Sequence, residues 1–197
     1  MPNLHNFLTM QINLGNGYSL QDWETAWRNG DQERFIPLAD DYEVWKNLSD
    51  SFSHPFTRAN AEAWVSLHAG VNPVVDFAVC DENGPIGGIG FQTLTDDSRH
   101  SAALGYWLGQ PFWRRGVMTA AVKAMTAYGF ETLALIRIYA RVYKGNEASA
   151  RVLEKAGYKL EGLLRKATLK QGVPIDHYLY AILREEWGCG AADSINK

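Results

Sequence analysis

The stretch from residue 105 to residue 119 constrains this chain most, because a strand end, a short loop and a helix start follow one another there. Residues 105–108 join a glycine to aromatic and aliphatic side chains, as strand ends do, and Pro111 lies in the loop. Beyond the loop, apolar side chains recur at the spacing of one helix face, at Val117, Ala121, Ala124, Met125 and Tyr128. The first N–H groups of a helix therefore follow directly after a strand end.

Such a helix start favours an anion. Its first backbone N–H groups have no partner within the helix, and the helix dipole is positive at this end. Gly116 allows a ligand to approach the backbone closely, and Arg114 and Arg115 precede it. These residues predict a phosphate site. The alternative is that both arginines are solvated surface charges and that Gly116 only ends a turn.

Two common phosphate loops are excluded by the sequence. A Walker loop would end in Gly-Lys-Ser/Thr, and the chain contains no such segment. The other glycine cluster predicts a hairpin between two strands rather than a dinucleotide loop between a strand and a helix; it consists of Gly84, Gly87, Gly88 and Gly90.

Two blocks of sequence resemble the GNAT superfamily of N-acetyltransferases, and within it the RimJ/RimL-like branch that acetylates ribosomal-protein N-termini. Residues 106–108 and 113–119 resemble the acetyl-CoA motif. Residues 146–158, with Glu161, Gly162 and Arg165 after them, resemble the branch's second element. Weaker matches near both ends extend the resemblance over roughly residues 8–187, at Leu20, Trp23, Asp31, residues 54–57, Asp176 and Tyr180.

The resemblance implies acetyl-CoA as cosubstrate and assigns residues to it. Backbone groups of three strand residues would bind the pantetheine arm: Tyr106, Trp107 and Leu108. Backbone N–H groups at the helix start would hold the pyrophosphate: Arg114, Arg115, Gly116, Val117, Met118 and Thr119. Asn146 would bind the pantetheine arm, although plain helix capping also explains it. Ser149 would lie near the sulfur, although it could instead bond only to the backbone of its own helix turn.

Several positions depart from the family pattern. Leu153 stands where many members place a tyrosine acid, so Ser149 is the candidate that protonates the thiolate leaving group. Met118 stands where glycine or alanine is usual. Ala102 and Ala103 stand where a glutamate base is frequent. His100 and Asp50 are therefore the leading candidates for the base, with His54 and Asp176 as further ones, acting directly or through water.

Length and composition predict one domain over residues 1–187 and a frayed tail over residues 188–197. The chain has 197 residues, of which 46% are hydrophobic, enough for a single core. It has no apolar run near 18 residues and no signal-peptide pattern, which predicts a cytoplasmic protein without a membrane contact. Cys80 and Cys189 are too far apart in sequence to suggest a metal or disulfide framework, so no metal is expected.

The order of predicted elements is a strand, several helices, three strands, a helix, a strand, a helix and two strands. Apolar and β-branched runs predict the strands, and Thr57 and Asn146 are predicted helix N-caps. This order predicts an α+β domain with a mixed, mostly antiparallel sheet flanked by helices. The GNAT fold has the same order.

The net charge of −3 conceals an asymmetry between the two halves of the chain. Residues 1–98 hold 4 Lys/Arg against 14 Asp/Glu, a net of −10, whereas residues 99–197 hold 15 against 8, a net of +7. A basic half suits the phosphates of CoA, and an acidic half suits a cationic amine. The alternative is that the charges mix on one folded surface. A pI of about 5.9 and the lack of a Lys/Arg run disfavour nucleic acid as a partner.

The sequence therefore predicts an N-acetyltransferase in which an amine attacks acetyl-CoA directly, within a ternary complex. The acceptor is either a protein N-terminus, such as that of a ribosomal protein, or a small amine, and the protein is either a monomer or a homodimer. The alternative function is a non-catalytic module on the same fold that binds acyl-CoA or a partner.

Overall fold

One eight-stranded sheet organises residues 10–188, the part of the chain that the computed structural model describes. Its strands are β1 Gln11–Gly15, β2 Tyr18–Asp22, β3 Asp76–Asp81, β4 Gly84–Thr93, β5 Ser101–Leu108, β6 Arg137–Tyr143, β7 Lys159–Lys170 and β8 Val173–Leu183. Their order in space is β1-β2-β3-β4-β5-β6-β8-β7. Every neighbouring pair is antiparallel except β5 and β6, which are parallel. The predicted α+β fold with a mixed, mostly antiparallel sheet is confirmed.

Seven α-helices of residues 10–188 flank this sheet. They are α1 Trp23–Asn29, α2 Gln32–Ala39, α3 Tyr42–Trp45, α4 Arg58–His68, α5 Val117–Glu131, α6 Glu147–Lys155 and α7 Arg184–Trp187. Polar side chains fix several helix starts by accepting a free N–H group: Asp22 bonds Thr25 N at 2.9 Å and Asp31 bonds Arg34 N at 3.0 Å. The predicted cap at Thr57 is confirmed, and it forms a capping box with Asn60.

The two faces of the sheet carry separate clusters of buried side chains. On the α5 face, Leu104 and Leu108 of β5 pack with residues of α5 and α6 such as Met125 and Leu153. On the α1 face, aromatic residues of α1 and α2 cover β3, and Trp107 packs against them. Successive side chains of a strand point to opposite faces, so Tyr106 and Trp107 of β5 serve different faces.

The sheet opens between β5 and β6. These strands pair over only three residues each, with Ser101 opposite Arg137 and Ala103 opposite Tyr139 at the two ends of the pairing. Beyond Ala103, β5 continues along β4 as far as Leu108, whereas β6 continues along β8. Residues 104–108 and 140–143 therefore bound a wedge-shaped opening, which we call the cleft.

The secondary structure differs from the prediction at two elements and agrees with it at the glycine-rich hairpin. β2 and α1 were not predicted, because β2 has only five residues and α1 only seven, too few for a clear periodicity. The predicted hairpin at the glycine cluster is confirmed as the β3–β4 pair, with Gly87, Gly88 and Gly90 inside β4. Cys80 is buried in β3 as predicted. Residue 8, where the family resemblance begins, lies outside the described residues, as do Cys189 and the tail beyond Gly188.

Candidate active site

The start of α5 lies just beyond the end of β5 and presents free N–H groups. The first hydrogen bond of the helix runs from Ala120 N to Gly116 O at 3.0 Å. The N–H groups of Val117, Met118 and Thr119 therefore precede the first intrahelical bond, and no side chain caps this end. The helix start predicted from the sequence is confirmed, and its chemistry suits a phosphate.

The backbone before α5 takes a conformation that suits close approach of a ligand. Gly116 has φ of +80°, and no atom lies within 4 Å of the position that a Cβ would take there. Arg114 also has a positive φ, of +63°. Both arginines are exposed, and Arg115 lies over the ring of Phe112 at 5.5 Å from its centroid. The Met118 side chain is buried, so it points away from the exposed helix start and leaves the approach open.

α6 brings a second pair of candidate residues to the α5 face of the sheet. Asn146 accepts the Ser149 N–H at 3.2 Å, which confirms its predicted capping role. The cap engages the Oδ1 atom of Asn146, and the Nδ2 group is a donor of the kind that a carbonyl of pantetheine accepts.

Ser149 has a partner that the sequence did not reveal. The Tyr106 hydroxyl lies 2.8 Å from Ser149 Oγ and donates to the Ser149 carbonyl at 3.1 Å. Burial raises the pKa of the Tyr106 hydroxyl above its ordinary value, although the Ser149 hydrogen bond opposes this rise. The pair therefore stays protonated at neutral pH, with one hydroxyl from β5 and one from α6.

Leu153, which stands where many family members have a tyrosine, is part of the hydrophobic core. The Leu153 side chain is fully buried, at 0% exposure, on the same helix as Ser149. The only described hydroxyl bonded to Ser149 Oγ comes from Tyr106, one strand away. A proton donor thus reaches this region from β5 instead of from α6.

His100 is not brought to this region. It precedes β5, and its carbonyl accepts N–H groups of Ile136 and Arg137 at the closed end of the cleft. Tyr106 is six residues further along an extended strand, a separation of about 20 Å at the usual rise per residue. The expectation that His100 acts as the base is therefore not supported by its position.

Asp50 is committed to another contact. Its carboxylate accepts the Gln171 N–H at 2.8 Å and pairs with Lys170 Nζ at 2.9 Å. The Gln171 bond, followed by Lys170, holds the pKa of Asp50 below its ordinary value. A carboxylate stabilised in this way is a weak base, and it serves to join the loop after α3 to the β7–β8 turn.

The remaining acidic and histidine candidates also have partners. His54 Nδ1 lies 3.2 Å from Asp40 Oδ1, and its ring stacks on Trp45. Asp176 accepts the Lys166 N–H at 2.9 Å, and this bond is the main cause that lowers its pKa. Asp41 caps α3. The prediction that the acidic half attracts a cationic acceptor stays a prediction, and these carboxylates have structural roles.

Lys170 secures the loop after α3. Its side chain is only 8% exposed, and Nζ donates to the carbonyls of Trp45 and Leu48 at 3.3 and 3.0 Å besides pairing with Asp50. The ammonium also lies 3.6 Å from the centroid of the Trp45 ring. One buried cation thus connects β7 to a loop of the α1 face.

We expect Lys170→Met to lower the free energy of unfolding by about 1–3 kcal/mol, because three acceptors lose their charged donor. Lys144→Met is the matched control, since Lys144 is half-exposed and lies 3.6 Å from its partner Asp176. That variant is expected to change stability by less than about 0.5 kcal/mol. Urea denaturation of both variants measures the difference, and equal losses would contradict a special role for Lys170.

The α1 face of the cleft is aromatic at one end and open in the middle. Trp107 lies 5.6 Å from Phe35 and 5.5 Å from Phe52, measured between ring centroids. Phe52 also stacks on Phe56, which belongs to the same buried cluster. Gly105 is exposed with no atom within 4 Å of a Cβ position. A surface cavity of about 390 Å³ lies over the β5–β6 junction and is lined by Ser101, Arg137, Tyr139, Arg141 and Leu179 among others.

A buried histidine lies beyond β6. The side chain of His177 on β8 is buried, and neither ring nitrogen has a hydrogen-bond partner among the described residues. Burial and the nearby Arg141 lower the pKa of His177, so its ring is neutral at pH 7. The ring packs against Tyr143, at 4.9 Å between centroids.

Residues 10–188 contain neither a membrane-spanning helix nor a group of metal ligands. No helix there combines the length and the apolar character that crossing a bilayer requires. In the same part of the chain, no three His, Cys, Asp or Glu side chains are grouped so that they could hold a metal ion.

Comparison with known proteins gives consistent results. A domain family described as "Acetyltransferase (GNAT) domain" matches residues 25–159. The uncharacterized N-acetyltransferase YoaA of Bacillus subtilis (strain 168) is 39% identical over 99 residues, which cover 50% of this chain and 55% of YoaA. The [ribosomal protein uS5]-alanine N-acetyltransferase of Escherichia coli (strain K12) is 32% identical over 110 residues, covering 56% of this chain and 57% of that protein. The match thus spans little more than half the length of these relatives.

A solved structure extends the likeness to most of the chain. The crystal structure of a GNAT-family acetyltransferase from Bacillus anthracis superposes with a TM-score of 0.74 and 26% identity, covering 90% of this chain and all of that one. The described part of the chain therefore shares its overall architecture with that protein.

Proposed function

The chain belongs to the GNAT acetyltransferase family, and on that premise we propose that it transfers the acetyl group of acetyl-CoA to a primary amine. The observation that carries the proposal is the cleft between β5 and β6, which ends beside the unpartnered start of α5. One wall of this cleft is a strand edge with free backbone groups, and its end is an anion site. A long ligand with a phosphate end and a peptide-like arm matches both.

Acetyl-CoA fits the residues that surround the cleft. The N–H groups of Val117, Met118 and Thr119 would hold its pyrophosphate, with Gly116 giving room. The backbone of Tyr106, Trp107 and Leu108 would bind the pantetheine arm, because no other strand accompanies that edge of β5 within the described residues. Asn146 would add a side-chain donor from α6. Acetyl-CoA supplies the thioester that the amine attacks.

The Tyr106–Ser149 pair would provide the proton for the departing thiolate. It lies on the α5 face of the cleft, the same face as the start of α5, and both hydroxyls are protonated at neutral pH. Ser149 would donate to sulfur, and Tyr106 would then turn its proton from the Ser149 carbonyl to Ser149 Oγ. This arrangement supports the predicted role of Ser149 and adds a second residue to it.

The acceptor would approach from the α1 face, where Gly105 is exposed and a cavity lies over the β5–β6 junction. Among acceptor classes we favour a peptide α-amine, because the E. coli relative is named for a ribosomal-protein alanine. An amine at the end of a chain needs a groove that is open at the surface, and this cavity is such a groove. Small amines stay the alternative acceptor class.

Saturation with acetyl-CoA is expected to stabilise the protein. A ligand at 100 times its Kd that binds only the folded state adds about 2.7 kcal/mol, which is about 5–10 °C in Tm for a chain of this size. AMP serves as the control, because it lacks the pantetheine arm and is expected to shift Tm by less. Differential scanning fluorimetry measures both shifts.

Turnover of acetyl-CoA in the presence of a panel of amines distinguishes an acetyltransferase from a non-catalytic binding module. Release of free CoA thiol with an alanine-starting peptide, spermidine or an aminoglycoside supports transfer. A shift in Tm without turnover of any acceptor would favour the non-catalytic module, and no shift at millimolar acetyl-CoA would contradict both.

A further inference from the structure

The proposed reaction needs a group that takes a proton from the acceptor, because an amine attacks a thioester only in its neutral form. The part of β5 that faces the acceptor side carries Ala103, Gly105 and Trp107, none of which is a base. His100, Asp50, His54 and Asp176 lie elsewhere or have structural partners. The proton acceptor must therefore come from another strand or helix of the α1 face.

Asp76 lies on this face, level with the open part of the cleft. It is the first residue of β3 and stands opposite Gly90 of β4, and Gly90 stands opposite Gly105 of β5. These three residues form one row across the sheet, two positions beyond Ala103, where β5 and β6 part. Side chains in such a row point to the same face.

Neither glycine of the row places a side chain between Asp76 and the space over Gly105. A Cβ at Gly90 would overlap the carboxylate of Asp76, so this carboxylate leans across β4 toward β5. Gly105, the next residue of the row, is exposed with free space above it. Because neighbouring strands are about 4.8 Å apart, the gap from the carboxylate to the space over Gly105 is about one water molecule wide.

The surroundings of Asp76 keep it oriented and adjust its basicity. Trp23 Nε1 of α1 donates to Asp76 Oδ1 at 2.6 Å. Burial raises the pKa of Asp76 to about 6, whereas the hydrogen bonds of Trp23 and Trp64 and the nearby His68 of α4 oppose the rise. A carboxylate with this pKa is ionised at pH 7 and is a stronger base than an ordinary one.

Resting on the proposed function, we infer that Asp76 is the general base that removes a proton from the acceptor ammonium through one water. The ammonium loses a proton to the water, and the water passes a proton to the carboxylate, which becomes a carboxylic acid. The neutral amine then attacks the acetyl carbonyl and forms the C–N bond. The C–S bond breaks, sulfur takes a proton from Ser149, and the new amide nitrogen releases its extra proton to solvent. The Tyr106–Ser149 pair regains a proton from solvent and Asp76 returns its proton to solvent, so that one proton is released in each turnover.

His177 is the competing candidate, and its position is less suitable. It pairs with Tyr143, four residues beyond the end of the β5–β6 pairing, and lies one strand beyond β6 under the Tyr143 ring. Both of its nitrogens are enclosed. A water from the row of Gly105 would have to pass Tyr143 to reach them.

The test is the pH dependence of kcat/KM for an alanine-starting peptide, compared between the wild type, Asp76→Asn and His177→Gln. For the wild type, we expect kcat/KM to rise with pH along a limb whose apparent pKa is near 6, because Asp76 loses its proton there. In Asp76→Asn only the peptide that is already neutral reacts, so the limb moves to the peptide's own pKa near 8. The same variant is expected to lose about 10²–10⁴-fold in kcat/KM at pH 6.5, with the KM for acetyl-CoA unchanged.

Two further variants distinguish a base from a merely structural carboxylate. Asp76→Glu keeps a carboxylate over the glycine row and is expected to restore the limb below pH 7. Trp23→Phe removes the 2.6 Å donor, so the pKa of Asp76 and the limb both move upward. Circular dichroism and acetyl-CoA binding of each variant report whether the fold is intact.

The outcomes separate the inference from the function on which it rests. A wild-type protein that binds acetyl-CoA but acetylates no amine of the panel overturns both. An active wild type whose limb stays near 6 in Asp76→Asn overturns Asp76 alone, and loss of that limb in His177→Gln would assign the proton to His177 instead.

Discussion

Gly116→Glu is expected to raise the Kd for acetyl-CoA by about 100-fold or more while leaving the fold intact. The new carboxylate would stand before the N–H groups of Val117, Met118 and Thr119, where the pyrophosphate is proposed to bind. Two like charges 4 Å apart repel by about 4 kcal/mol near a protein surface, and solvent ions reduce this value. The free space around Gly116 means that the larger side chain meets no neighbour.

Two control variants isolate the charge at this position. Gly116→Ala introduces the same strain at φ +80° without a charge, and it is expected to change the Kd by less than about tenfold. Gly17→Glu places the same carboxylate at another open glycine with φ of +80°, in the β1–β2 turn. Isothermal titration calorimetry gives all three Kd values. Equal weakening by Gly116→Glu and Gly17→Glu would mean that the phosphates bind elsewhere.

Ser149→Ala and Tyr106→Phe are each expected to lower kcat by about 10–100-fold with little change in the KM for acetyl-CoA. The thiolate carries its charge only as the C–S bond breaks, so a donor to sulfur acts mainly in the transition state. Because the two hydroxyls are 2.8 Å apart and act in series, the double variant is expected to lose little more than either single one.

Tyr180→Phe is the matched control for a lost hydroxyl. Tyr180 is also a buried tyrosine bonded to α6, through Glu154 at 3.0 Å, but on a different residue of the helix. We expect this variant to lose stability and to keep its kcat. Parent-like kcat in both Ser149→Ala and Tyr106→Phe would point to solvent as the proton source.

The parts of the candidate site that depend on residues adjacent in sequence could be predicted from the sequence. The start of α5 and the Asn146 cap each depend on a few consecutive residues, and both were predicted. The Tyr106–Ser149 pair joins residues 43 positions apart, and the Lys170 contacts with Trp45 and Leu48 join residues 125 and 122 apart. Such contacts depend on how β5, α6 and β7 pack, which local patterns do not specify.

Identification of the base also depends on contacts between residues that are distant in sequence. His100 is a candidate base by its residue type, because Ala102 and Ala103 replace the usual carboxylate, yet an extended strand separates it by about 20 Å from Tyr106. No local pattern marks Asp76 as a base, because it is simply the first residue of an apolar strand. Its proximity to Gly105 becomes visible only when the β3–β4 and β4–β5 registers are known.

The brief pairing of β5 with β6 also bears on how the molecule unfolds. Strands β1–β5 form one continuous antiparallel ladder and β6–β8 another, and only three parallel residue pairs join them directly. Local opening follows the least supported contacts of a structure. The seam between the ladders is therefore the place where amide hydrogens should exchange soonest within the sheet, and a ligand lying along that seam would couple the two ladders into one cooperative unit.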